Sequence, residues 1–197
     1  MIENLLHQNQ RLDAQTLEGD LRGHVFVQCS LNHCVVPKEG VDLYGATFYG
    51  CSMTFLEAEG SKWRHVSAQD CDFRHSNLKD AEFYQSRLHK CDFTWADFSH
   101  ADARMLSGEG SDFKLSHIQK ASRFNIWDRD MVSEIIRFHA HGDVEIIMAA
   151  ALVKVSMEFC WKEFRTIANL PQYKKIAEVI YKVLSQYPQV TTELMGG

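Results

Sequence analysis

Large apolar side chains recur at every fifth position through the middle of the chain. Written in fives from Val41, the third position of each pentad holds Leu43, Phe48, Met53, Trp63, Phe73, Leu78, Phe83, Leu88, Phe93, Phe98, Phe113 and Ile118. The first position is small: Ala46, Cys51, Ser61, Cys71, Ser76, Ala81, Ser86, Cys91, Ala96, Ala101, Ser111 and Ser116. A helix repeats its apolar face every 3.6 residues and a strand every 2, so neither sustains a strict period of five from Val41 to Lys120. A chain that turns one corner per pentad does, with positions one and three inward and the rest outward.

The runs Cys71-Asp72-Phe73, Ser76-Asn77-Leu78, Cys91-Asp92-Phe93 and Ala96-Asp97-Phe98 resemble the pentapeptide-repeat proteins, whose signature is a small residue, Asp or Asn, then Leu or Phe. The resemblance implies a mainly β solenoid, a right-handed quadrilateral β-helix with four pentads per coil, and it covers about half of the chain. Residue n then stacks on n+20 at about 4.8 Å. Phe48, Trp63, Phe73, Phe83, Phe93, Phe98 and Phe113 become the structural core, and Trp63 falls between Ala58 and Ala68, keeping the packed volume of its layer.

Leu21, Phe26, Leu31 and Val36 also repeat at five, whereas Val36 to Leu43 is seven; a phase shift at residues 37–40, Pro37-Lys38-Glu39-Gly40, absorbs the difference. The expected organisation is an N-terminal cap over 1–20, with a helical turn within Met1–Gln10, a β-helix of about five coils over 21–124, and a small α-helical region over 125–197. In that last region Asp128 caps a helix through Val132, Ile135 and Ile136 to His139, and Asp143 caps a second that is apolar on most sides and so expected to be buried. A third holds Phe159, Trp161, Phe164 and Ile167, and a fourth runs from Pro171 to before Pro188. Together they are expected to cover the last coil, and the tail from Thr191 reads as disordered.

The formal net charge of −5, from 21 basic and 26 acidic side chains, argues against direct nucleic-acid binding. The longest apolar stretch, Ile146–Val153, is far short of the roughly 20 residues that span a membrane. The opening Met1-Ile2-Glu3-Asn4 lacks the pattern of a secretory signal. A cytoplasmic protein with reduced Cys29, Cys34, Cys51, Cys71, Cys91 and Cys160 is the expectation.

The cysteines 20 residues apart read as packing rather than as a metal site, since zinc needs four converging ligands. His139 and His141 lie two apart on a helix and diverge. Neither a phosphate loop nor a catalytic triad is legible, so no catalytic residue, metal or cofactor is expected. The candidates face outward. Phe55, His75, Trp95 and Leu115 make one apolar stripe, alongside Asp72, Asp92 and Asp112; such a stripe either marks a contact surface or is covered by the C-terminal helices folding back onto it. Tyr44, Arg64, Tyr84 and Arg104 alternate elsewhere, a pattern suited to cation–π stacking.

Two functions compete. One is a non-enzymatic protein–protein interaction scaffold presenting a flat solenoid face, its partner a protein of unspecified identity or a second copy docked through the C-terminal helices. The other is implied by the resemblance, whose quinolone- and peptide-toxin-resistance members mimic duplex DNA and bind type II topoisomerases. Five coils of about 24 Å would stand in for about 14 phosphate charges. The first 125 residues carry 17 acidic and 13 basic side chains, a net of −4, which dilutes that mimicry.

Overall fold

The computed structural model describes residues 5–155, 171, 173–188 and 190. The chain divides into two compact units, Met1–Asn125 and Ile126–Gly197.

The first unit is a β-solenoid of about six turns. On one face β1 (Leu6–Gln8), β3 (Val25–Val27), β5 (Thr47–Tyr49), β6 (Ser67–Gln69) and β7 (Arg87–His89) stack as a parallel sheet in that order. Two further faces are ladders of single bridges, Arg11 through Ser30, Ser52, Asp72 and Asp92 to Asp112, and Thr16 through Val35, Glu57 and Asn77 to Asp97. The fourth pairs β2 (Gly19–Asp20) with β4 (Val41–Asp42), continues from Lys62 through Glu82 to Asp102, and closes with β8 (Asp102–Ala103) on β9 (Arg123–Phe124).

The turn count and the N-terminus correct the sequence expectation. Residues 5–20 are not a cap with a helical turn; they form a first coil, with Leu6↔Val25 and Arg11↔Ser30 in register. Leu12 and Leu17 are five apart, but Leu17 to Leu21 is four, and this one missing residue hid the coil from a search for strict fives. The first coil is offset by 19 residues from the second, the second by 22 from the third (Val25↔Thr47), and later coils by 20 (Thr47↔Ser67) up to the closing pair, which is offset by 21 (Asp102↔Arg123). The two extra residues fall at Pro37–Gly40, between Val35 and Asp42.

Inside, four columns of apolar side chains run the length of the solenoid, and Phe48, Trp63, Phe73, Phe83, Phe93, Phe98 and Phe113 are each at most 2% exposed. Phe73, Phe93 and Phe113 stack at centroid spacings of 5.0 Å, in step with the coils. Column one is small for a second reason besides space. Several of its hydroxyls and thiols bond to the coil before: Ser76 Oγ donates to Met53 O at 2.9 Å, Ser111 Oγ to Leu88 O at 2.7 Å and Cys51 Sγ to Phe26 O at 3.4 Å. Ser111 Oγ also accepts the Cys91 N–H at 2.9 Å. Position two takes Asp or Asn because its side chain closes the corner: Asp42, Asp72, Asp92, Asp97 and Asp112 each accept the N–H two residues on, at 2.8–3.0 Å.

At the N-terminal end the interior column finishes on a polar lid. His7 stacks on Phe26 at 4.4 Å, and its ring bonds the His24 ring at 3.0 Å and Gln10 at 3.1 Å. Burial, reinforced by His7, holds His24 below the ordinary imidazole range, with Asp20 opposing. A histidine held neutral on folding contributes stability above its unfolded value of about 6.5, and that contribution is lost as pH falls through the lower folded value. Acidification from pH 7.5 to 5 is therefore expected to open the first coil ahead of the rest. Hydrogen exchange, corrected for intrinsic rate, should show lost protection at Asn9 and Leu12, which bond Val27 O and Ser30 O, and His24→Gln should flatten the response. Unchanged protection across that range would refute the lid.

In the second unit, α1 (Arg129–Phe138) starts at Asp128, whose carboxylate accepts the Asp130 and Met131 N–H groups at 3.1 Å. α2 (Val144–Val155) and α3 (Lys174–Leu184) follow. The expected third helix, with Phe159, Trp161, Phe164 and Ile167, lies outside the described residues, as do Cys160 and the tail from Thr191. Burial of α2 differs from expectation. Its buried side is the small one, Ala149, Ala150 and Val153, where Ser133 Oγ of α1 donates to Ala150 O at 2.8 Å, while Val144, Ile147, Met148, Leu152 and Val155 are exposed. Small side chains let the two backbones approach, and the bulky ones are left facing away.

Candidate functional site

The sequence stripe becomes a ladder of rings along one corner of the solenoid. Each rung occupies position five of its pentad, where the chain turns with left-handed backbone: φ is 55° at Phe55, 59° at His75, 65° at Trp95 and 57° at Leu115. Glycine fills the equivalent place at Gly45, Gly50, Gly60 and Gly110 without strain. A bulky L-residue there costs about 1–2 kcal/mol. The aromatic rungs are tied to the next coil through their own N–H groups, Phe55 to Arg74 O at 3.0 Å, His75 to Thr94 O at 3.1 Å and Trp95 to Lys114 O at 3.2 Å.

The structure adds a rung that the pentad columns missed. His33 (φ 56°) stacks on Phe55 at 4.9 Å, Phe55 on His75 at 4.8 Å and His75 on Trp95 at 6.5 Å, with ring planes within 7° of parallel. Two residues inserted at 37–40 place His33 22 positions before Phe55, out of phase with columns counted from Val41. Carrying the known seven-residue step back one coil would have found it. The rungs stay accessible: Phe55 is 45%, Trp95 56% and Leu115 37% exposed.

Asp72, Asp92 and Asp112 lie three residues before their rungs, with Oδ1 committed to closing the corner. Arg74 also binds Asp72 at 2.6 Å and approaches Asp92 at 3.7 Å. Partial burial pushes the Asp72 carboxyl up, but hydrogen bonds from the Arg74 guanidinium and N–H outweigh it and leave the group below the ordinary carboxylate range. Their local task is turn closure, and at Asp72 the second oxygen is held by Arg74 as well. On the ladder's other flank stand Glu57 and Asp97, two residues after Phe55 and Trp95.

The other candidates resolve differently. Tyr44 and Tyr84 meet His65, at 4.8 and 5.6 Å, instead of forming a continuous ladder with arginines, and Arg104 pairs with Asp102 at 3.0 Å. Cys29, Cys34, Cys51, Cys71 and Cys91 are free and buried. The Cys71 sulfur and burial push the Cys51 thiol far up. Cys71 reaches about 12, because the Cys91 sulfur and burial outweigh the lowering effect of Cys51. Such thiols are poor nucleophiles. His139 Nε2 bonds the Tyr187 hydroxyl at 2.8 Å. Among the described residues no group of three or more His, Cys, Asp or Glu is placed to hold a metal, and no helix is long and apolar enough to cross a membrane.

The inward small and large columns, the aspartate-closed corners and the 20-residue step define a pentapeptide-repeat β-helix, and residues 65–121 match the family model for pentapeptide repeats in 8 copies. Among solved structures the chain is similar to Rfr23, a pentapeptide repeat protein from the cyanobacterium Cyanothece 51142, with TM-score 0.52 and 10% identity over 58% of this chain and 92% of that one. A pentapeptide repeat protein from the Arabidopsis thaliana thylakoid lumen aligns at TM-score 0.29 and 15% identity over 52% of this chain and 64% of that one. A trypsin-treated form of QnrB1, a plasmid-mediated fluoroquinolone resistance protein, aligns at TM-score 0.24 and 16% identity over 60% and 79%. No curated protein sequence matches the chain.

Proposed function

We propose that this protein is a non-enzymatic interaction scaffold that binds a partner protein along the ring corner. The observation that carries the reading is that Phe55, Trp95 and Leu115 hold exposed apolar side chains in left-handed backbone, where other corners of the same solenoid carry glycine, as at Gly50 and Gly60, or a polar residue, as at Asp70, Asp80, Gln85 and Lys90. Strained, exposed and apolar is a costly combination for a merely structural position. The test is whether proteins that co-purify with the chain are lost when Phe55 and Trp95 are replaced by glycine.

The duplex-mimic alternative shares the fold but has less in its favour. Acidic side chains on the solenoid are interleaved with bound arginines, Asp20 with Arg22 at 2.5 Å, Asp72 with Arg74 at 2.6 Å and Asp102 with Arg104 at 3.0 Å. The face of Asp20, Asp42, Glu82 and Asp102 also carries Arg22, Lys62, Arg64, Arg104 and Arg123. A phosphate-like surface needs about one uncompensated charge per 1.7 Å. In a supercoiling assay with a type II topoisomerase and a fluoroquinolone, the expected result is neither inhibition nor protection; either effect at micromolar protein would favour the mimic instead.

A further inference from the structure

We infer that the partner element seated on the ring corner is a basic amphipathic α-helix, an inference that rests on the scaffold reading. Two features of the corner select it. The first is spacing. From His33 to Leu115 the rungs climb four coils, about 19 Å at 4.8 Å per coil. Apolar seam residues of a helix, 3.5 residues apart on average at 1.5 Å each, climb about 21 Å over four steps. A helix of about 14 residues therefore keeps one seam side chain against each rung. In an extended strand, same-face side chains repeat at nearly 7 Å and fall out of step within two rungs.

The second feature is charge. The rungs run between acidic rails, Asp92 and Asp112 beside an Asp72 already paired with Arg74 on one side, and Glu57 and Asp97 on the other, against Lys114 and the His117 ring at Asp97. Asp92 remains 43% and Asp97 39% exposed at the side chain. Lysines or arginines flanking the helical seam would meet these carboxylates, whereas glutamates there would be repelled. Rim charges of this kind act mainly on association rate and on the choice of partner, and salt weakens them. The histidines at His33 and His75 add imidazole edges on alternate rungs, suited to polar seam residues.

Three labelled 18-residue peptides test the inference with the full chain by fluorescence anisotropy: a leucine seam with lysine flanks, the same seam with glutamate flanks, and lysine flanks with a serine seam. The lysine–leucine peptide is expected to bind saturably, at least tenfold tighter than either control, and several-fold more weakly at 300 than at 50 mM salt. Phe55→Gly with Trp95→Gly should abolish that binding. Asp92→Asn with Asp112→Asn, which retains a corner-closing side-chain oxygen, should shrink the lysine-over-glutamate preference. Equal binding of the two leucine peptides, or binding indifferent to the glycine pair, overturns the inference. Where the glycine pair also loses its co-purifying partner, the scaffold reading survives without the basic helix; where that partner is retained, both readings fall.

Discussion

Trp63→Ala is expected to cost about 3–5 kcal/mol, the upper range for emptying a core aromatic site. Trp63 is 1% exposed and lies within 6.0–6.2 Å of Phe48, Phe73 and Phe83. Its neighbours in the chain's inward path, Ala58 and Ala68, are too small to fill the vacated space. The backbone cannot close on it either, because hydrogen bonds such as Trp63 N–H to Glu82 O at 2.8 Å hold each coil at its rise. The loss is packing rather than polarity: the indole Nε1 donates to Ser61 Oγ at 2.7 Å, and that hydroxyl keeps its own bond to Ala58 O at 2.6 Å once the indole is gone. Thermal denaturation followed by circular dichroism should show the solenoid transition falling by on the order of 10 °C. A loss below about 1 kcal/mol would mean that the layer repacks and that the large-small compensation around Trp63 is not what fixes its cross-section.

The paired substitution Phe55→Gly and Trp95→Gly should separate fold from function. Glycine suits the left-handed backbone at both sites, so relief of strain offsets the lost ring stacking and the net change in stability is expected within about 1 kcal/mol. Binding is another matter. A buried aromatic anchor at an interface is typically worth 2 kcal/mol or more, about thirtyfold in affinity, so each change alone should weaken partner capture by that factor and the pair should remove it. The measurement is quantitative capture of the co-purifying protein beside a denaturation curve for each variant. Retained capture with an intact fold would sink the scaffold proposal at this corner, whereas a fall in stability of 3 kcal/mol would assign the rings a structural task.

The solenoid was legible because its period is unlike that of any other element. Small residues such as Ala81 and Ala101 alternating with Phe83 and Phe98 can be satisfied only by a chain that turns every five residues. The coil count was not, since a single missing residue between Leu17 and Leu21 broke the phase, and hydrogen bonding between neighbouring coils tolerates a 19- or 22-residue step that a count of fives rejects. Most of the candidate site was likewise visible as Phe55, His75, Trp95 and Leu115. His33 was displaced by the insertion at Pro37–Gly40.

What the sequence determined by itself, then, is the repeat: which positions are small, which are large, and so which face the interior. Its local chemistry also assigns Asp128 to a helix start, because that contact reaches only two or three residues. Tertiary structure alone decided that the rings form one stack with His33 at its head, that His7 and His24 cover the Phe26 column, and that α2 buries Ala149, Ala150 and Val153 rather than Ile147 and Leu152. Each of these depends on which coil or helix lies alongside, at separations of 17 residues or more, as for His7 with His24 and Ser133 with Ala150. Pattern along the chain gives side-chain direction; only the register between coils and helices gives neighbours.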